Sequence, residues 1–439
     1  MNDRSRGAGL QARLLDGIEL IGNRLPHPFW LFLWLIVAVA VVSEVVAALV
    51  SDSTAFSGDT APRPVLRPDT LRWFVLHMVE NFGHFEPLAL VLVMLMGVSI
   101  AEGTGLIPAV MRGIAASVPK TLIVPALFGL AACGNIGSDA GIVVIPPLAA
   151  IVFKELGRNP IAGLLVGYVG ATAGFTANLL PAGTDVLAMA LTNAATRGEP
   201  EITVLANWYF MSASVVLLSA IGTFVTVAIV EPRLPPGPAS SGVKMSGLAP
   251  EERRGVVVAG VVTAILSIAW LATVVPEGGA LRDPNPDQFW RSPFFRGLVP
   301  VLFSLFAASG IAYGIAAKTI GKPNDILEHM IGAMRRMAPY IVLILAISQF
   351  IELFQYTRLD QLIARSGASL LSGLGAKDAP IPLFLAFISA VAFSNMFLGS
   401  ASAKWAIFAP IFVPMFCNSA FIPRSLNCCI ESVIPSPIA

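Results

Sequence analysis

Apolar runs dominate this chain, and their lengths fall into two classes. Long runs occupy residues 29–50, 73–101, 208–230, 256–275, 297–317 and 337–354. A bilayer takes roughly 20 apolar residues to cross as a helix, so these predict spans. The first is interrupted by Ser43 and Glu44, and the second is broken in its first half by His77, Glu80, Asn81 and His84. Shorter runs come in pairs around a polar tip. Residues 381–393 and 405–416 flank the tip 394–404, and residues 122–132 and 141–153 flank the tip 133–139. Arms this short do not reach across a bilayer, which predicts two re-entrant hairpins, 121–153 and 380–416. Irregular backbone persists at membrane depth only inside protein or beside a watery cavity, so each tip is a candidate binding site.

The two tips share a pattern. Asn135 precedes Gly137-Ser138 in the first, Asn395 precedes Gly399-Ser400 in the second, and both second arms carry prolines. Two ordinary helices kinked by glycine would also fit either run alone. Between them lies residues 161–191, too long and too punctuated for one regular helix. The stretch GFTANLLPAGTD, residues 174–185, holds Asn178, Pro181 and Gly183, which would unwind the helix and free backbone carbonyls at mid-membrane. Paired interrupted segments of this kind point to the midplane site of a secondary transporter.

The chemistry expected there is recognition of an anion bearing an aromatic ring. Helix N-termini at residues 137–141 and 402–405 would offer unpaired N–H groups to carboxylates. Asn135, Gly137, Ser138, Asn395, Gly399, Ser400 and Ser402 form the candidate substrate site, with Trp405 either stacking on a ring or packing. Lys404 could pair with a carboxylate or snorkel away from the tip, and snorkelling is the expectation. Asp185 is the foremost single residue, because an ionised aspartate in hydrocarbon costs about 2.5–3.5 kcal/mol and so marks a functional pathway. With Asn178 and Asn395 it is the candidate ion-coupling set, holding Na⁺ or taking up a proton; the sequence leaves both open. Asp139 is expected to cap the following arm, and Glu44, Glu102 and Glu352 to lie at the interface.

Composition narrows the class. The chain is 56% hydrophobic and 13% charged with mean hydropathy +0.77, well below the ~25% charged of soluble chains, so it is an all-α polytopic membrane protein. A net charge of +1 gives no reason to expect nucleic acid. Cys133, Cys417, Cys428 and Cys429 match no zinc or redox spacing, and no HExxH motif suggests an intramembrane enzyme. Arg4, Arg6, Arg13 and Arg24 in the amphipathic segment 1–28 favour a cytoplasmic N-terminus in the inner membrane. Residues 29–230 then form a first half, 231–254 a cytoplasmic linker and 255–416 a second half. Lys318, Lys322, Arg335 and Arg336 place the loop between the last two long spans inside. Counting onward, the second hairpin enters from the side opposite to the first, giving inverted repeats with two opposed hairpins and at least one broken helix. The tail 417–439 has neither helical nor strand period and supplies no second broken helix, which suggests a truncated or altered C-terminus.

Three stretches, GNIGSDAGIVVIPPLAA, GYVGATAGFTANLLPAGTDVL and FSNMFLGSASAKWAIFAPIFVPM, together resemble the aminobenzoyl-glutamate transporter (AbgT) family, from about residue 14 to residue 416. The resemblance implies a homodimer of bowl-shaped carriers with two hairpins around the substrate. It implies substrates such as p-aminobenzoyl-glutamate and, for some members, export of sulfonamide antimetabolites. By this resemblance Asp185 matches a functionally required aspartate, Asn395 and Trp405 match the asparagine and tryptophan of the second hairpin, and Ser402 stands at its tip. The family's second broken helix, with a Tyr-Arg-Ile-Gly-Asp-Ser-like run, has no counterpart here. A di- or tricarboxylate carrier of similar hairpin architecture and an inactive truncated relic are the alternative readings.

Overall fold

The computed structural model describes residues 27–50, 61–134, 140–196, 201–237, 248–285, 289, 292–373, 380–395 and 401–418. In chain order its main helices are α1 (Pro28–Val50), α2 (Pro68–Gly83), α3 (Glu86–Gly103), α4 (Leu106–Ser117), α5 (Ile123–Cys133), α6 (Ala140–Glu155) and α7 (Pro160–Ala173). Then follow α8 (Gly183–Thr196), α9 (Trp208–Val225), α10 (Pro250–Ala272), α11 (Leu298–Ala316), α12 (Pro323–Tyr356), α13 (Leu359–Gly373), α14 (Pro380–Asn395) and α15 (Ala401–Asn418). Among the described residues, six helical stretches are long and apolar enough to cross a membrane, while α4, α5 and α7 are shorter apolar helices.

Several expected interruptions are absorbed by local chemistry. Ser43 and Glu44 do not break α1: the Ser43 hydroxyl donates to the Ala40 carbonyl at 2.8 Å, and the Glu44 carboxylate accepts from the Leu66 N–H. Arg335 and Arg336, expected in a loop, stand inside α12, which begins at Pro323 and runs for 34 residues. Its first turn is closed by Asp325, which accepts from the N–H groups of Gly321 and Lys322. Two helices with no expectation attached to them, α4 and α13, are strongly amphipathic.

The helices group into two compact units that interleave along the chain: Ala89–Met189 with Thr203–Ala338, and the residues up to Leu88 with Ala190–Ile202 and those from Pro339 onward. In the first of these, α5 and α6 both pack on α7. A Cβ on Gly163 would lie 2.4 Å from the Ala149 carbonyl oxygen, and one on Gly167 would lie 2.6 Å from Pro146 Cα, both on α6. One on Gly170 or Gly174 would lie 2.6 or 2.7 Å from the Cβ of Ala131 or Ala132 on α5. Glycines repeating on one face let backbones meet this closely, the small-residue packing of membrane helices. Around this seam Leu127, Phe128, Phe153 and Val166 form a buried cluster. At its edge Arg158 clamps Glu231 through two 2.7 Å hydrogen bonds and lies 4.4 Å over the Phe153 ring, fixing the start of the linker.

In the other unit, α1 meets α12 through Phe32 and Phe350, whose rings are 5.7 Å apart. The Gln349 amide on α12 donates to the Met78 carbonyl at 3.0 Å and accepts from Asn81 at 3.3 Å, so Asn81 of α2 finds a partner on another helix. The corner between α12 and α13 is held by Arg63, whose N–H donates to the Thr357 carbonyl at 3.0 Å. α13 packs on α15, and Phe387 of α14 lies 4.8 Å from Phe412 and 5.3 Å from Phe416 of α15, joining these two helices.

Candidate functional site

The helix break lies where the residue types demand it. α7 ends at Gly174, whose N–H still reaches the Gly170 carbonyl, and the backbone turns once more through Ala177 onto Gly174. Pro181 has no N–H to continue a helix, and it turns the residue before it out of the helical region. α8 starts at Gly183, and Asp185 closes its first turn: the carboxylate Oδ2 accepts from the Ala182 N–H at 2.7 Å, while the Ala182 carbonyl accepts from the N–H groups of Asp185 and Val186. This is an acidic cap set against the positive helix end.

The carbonyls freed by the break are not all open. Leu179 accepts from the Trp208 indole N–H at 2.9 Å. Asn178 is different. Its side chain is fully buried, and among the described residues neither its amide oxygen nor its amide nitrogen has a partner. The adjoining Ala177 packs with Ala132, Cys133 and Val215, so the break sits against the end of the first hairpin arm. A buried, unpaired amide costs about 1–3 kcal/mol, so the fold holds a donor and an acceptor in reserve. The oxygen suits a hard cation and the N–H suits a carboxylate.

The second hairpin brings Trp405 and Lys404 into the other unit. Trp405 is 4% exposed, and its indole N–H donates to the Thr192 hydroxyl at 2.9 Å. Thr192 stands on the last part of α8, braced by two neighbours: the Asn193 amide exchanges hydrogen bonds with Ile202 (3.1 and 2.9 Å), and the Gln355 amide donates to the Ala194 carbonyl at 2.8 Å. Lys404 does not snorkel. It is 1% exposed, because Ala403, Lys404, Trp405 and Ala406 are all buried. Four consecutive residues span a full helical turn, so the turn 403–406 of α15 is enclosed on every side.

Asn135, Gly137, Ser138, Asp139, Gly399 and Ser400 lie outside the described residues. Asn395 is the last residue of α14 and Ser402 the second of α15, and the side chains of both lie outside what is described. Glu102 ion-pairs with Arg336 at 3.3 Å beside a cavity of about 30 Å³ lined by Ser99 and Met337. Thr192 and Trp208 are the partners that the sequence did not reveal. A threonine within an apolar helix and a tryptophan opening a span are both weak signals without the contact.

Six membrane-length helices among the described residues, with two shorter helices parted by a break that carries a carboxylate and a buried amide unpaired among those residues, define a multi-span membrane transporter. The sequence matches the AbgT putative transporter family over residues 13–429, and the chain belongs to that family. It is therefore a transporter and not an enzyme. It is 38% identical over 416 residues to the p-aminobenzoyl-glutamate transport protein of Escherichia coli K12, covering 94% of this chain and 82% of that protein. Its structure is similar to the YdaH transporter of Alcanivorax borkumensis, with TM-score 0.80, 29% identity, and 93% and 90% of the two chains covered. It is also similar to MtrF of Neisseria gonorrhoeae, of a class of antimetabolite efflux pumps, with TM-score 0.83, 35% identity, and 92% and 84% covered.

Proposed function

We propose that this chain is a secondary active transporter of aromatic carboxylates like p-aminobenzoyl-glutamate, coupled to a Na⁺ or H⁺ gradient. It works in the cytoplasmic membrane as a homodimer with its N-terminus inside. The halves 29–230 and 255–416 are inverted repeats, and the opposed hairpins 121–153 and 380–416 carry the guest by elevator-like alternating access. Asn135, Gly137, Ser138, Asn395, Gly399, Ser400 and Ser402 bind the guest's polar groups, and Trp405 meets its ring. Asn178, Asp185 and Asn395 couple the ion. Sulfonamide antimetabolites are a second cargo, a reading supported by the likeness to MtrF.

The observation that carries this reading is Asn178, a buried amide with two unused bonding atoms on the break that Asp185 closes. A cation is needed on energetic grounds as well. Moving one charge against a membrane potential costs about 2.3 kcal/mol per 100 mV, which a co-transported cation offsets for an incoming carboxylate. Proteoliposomes loaded with labelled p-aminobenzoyl-glutamate test the reading under a Na⁺ gradient, a pH gradient and neither. Flux under one gradient, blocked by unlabelled substrate and untouched by citrate or succinate, is the expected result. Absence of flux under both gradients rejects it, and competition by citrate or succinate alone selects a plain di- or tricarboxylate carrier.

A further inference from the structure

We infer that Ser212 of α9 and Asn178 of the helix break together form a Na⁺ site, which deepens the proposed ion coupling and rests on it. Each carries a buried side-chain oxygen with no hydrogen-bond partner among the described residues. A hydroxyl inside a helix has a ready outlet in a carbonyl one turn back. Thr223 uses it on the same α9, donating to the Ser219 carbonyl at 2.6 Å, and Ser309 uses it on α11, donating to the Leu305 carbonyl at 2.6 Å. Ser212 does not. The two residues come together because their neighbours touch. Asn178 lies between Ala177, which packs with Val215, and Leu179, whose carbonyl accepts from the Trp208 indole. Trp208, Ser212 and Val215 are spaced by four and then three residues, so they share one face of α9. That face sets Ser212 between the two points of contact, as Asn178 is set between them on the opposing segment.

The chemistry of the pair selects the ligand. An amide and a hydroxyl do not titrate near neutral pH, so this pair cannot store a coupling proton. Their oxygens are hard and uncharged, which suits a small monovalent cation better than a divalent one, whose sites are built on carboxylates. The backbone between Ala173 and Gly183 lies outside any helix, so carbonyls there can complete the shell, as unwound segments do around Na⁺ in other carriers. A bare Na⁺ is smaller than a water molecule and fits between packed oxygens.

Thermal melts of the purified full-length protein in detergent, titrated with sodium chloride against choline chloride at constant ionic strength, test the site. Wild type should melt higher as Na⁺ rises, and Ser212→Ala should weaken the apparent affinity for Na⁺ about tenfold or more, the loss of one ligand oxygen. In choline alone Ser212→Ala should melt at or above wild type, because an unpaired buried hydroxyl has gone. Ser212→Thr keeps the oxygen and should keep the response. Thr223→Val removes a hydroxyl already bonded within its helix and should leave the Na⁺ response unchanged. A wild type indifferent to Na⁺ overturns the inference, as does a Ser212→Ala titration that matches wild type or an equal loss in Thr223→Val. A Ser212→Ala variant that melts lower by the same amount in both salts also overturns it, marking a merely structural serine. Flux under a pH gradient without any Na⁺ response strikes the Na⁺ site and leaves the transporter reading standing. A Na⁺ response lost in Ser212→Ala, with no flux under either gradient, keeps the site and strikes the coupling.

Discussion

Replacing Asn178 with leucine should make the protein more stable and inactive at once. The wild-type amide is fully buried with neither polar atom bonded, an arrangement that costs about 1–3 kcal/mol on the mutational scale. Leucine has similar bulk and carries no such cost; imperfect shape matching returns less than about 1.5 kcal/mol. The net gain is about 1 kcal/mol, read as a rise of about 1–3 °C in apparent melting temperature. The order should reverse when the coupling ion binds. If the ion is Na⁺, wild type at a hundred times its dissociation constant gains about 2.7 kcal/mol from mass action, and the variant gains nothing. Thermal melts in detergent, in sodium chloride and in choline chloride at equal ionic strength, measure both effects, and flux in proteoliposomes measures the third. A variant that melts below wild type in choline, or that still transports at the wild-type rate, would refute the claim that this amide is held ready for a guest.

Asp185→Asn keeps an acceptor for the Ala182 N–H and should melt like wild type, yet its flux should fall at least about tenfold because the charge is gone. Asp185→Ala should lose the same flux and also about 1 kcal/mol of stability with the cap. Gly167→Ala puts a Cβ 2.6 Å from Pro146 Cα; overpacking costs about 1–3 kcal/mol against a gain of about 1 kcal/mol in helix propensity, so it should melt lower. Gly260→Ala meets nothing within 4 Å and should melt at or above wild type, which makes it the matched control. Arg158→Gln should cost about 1–3 kcal/mol by breaking the pair of hydrogen bonds to Glu231, and Arg158→Lys should not rescue it, since an ammonium cannot match both oxygens. A melting double-mutant cycle with Glu231→Gln showing no coupling would remove that assignment.

The positions of the helices and their breaks were legible because they are local properties. Gly174, Pro181 and Gly183 stop a helix wherever they are placed, and α7 and α8 end and begin beside them. The short arms around residues 133–139 and 394–404 appear as α5 with α6 and α14 with α15, within a few residues of the expected bounds. Apolar run length therefore carried most of the helix map. It failed where a polar residue found a nearby partner, as Ser43 did on the Ala40 carbonyl, and where a polar helix is amphipathic rather than apolar, as in α13.

By itself the sequence determined that this is a helical membrane protein, where its helices stop, and that Asp185 stands at a break; each follows from how side chains partition and from which backbones can be helical. Only the tertiary structure decided what those side chains meet. It buried Lys404 where snorkelling was expected, gave the Trp405 N–H to Thr192, gave the Leu179 carbonyl to Trp208, and left both polar side-chain atoms of Asn178 without a partner among the described residues. The physical reason is range: hydropathy and backbone preference act within a helical turn, whereas a hydrogen bond between residues 192 and 405 depends on packing that joins segments far apart in the chain.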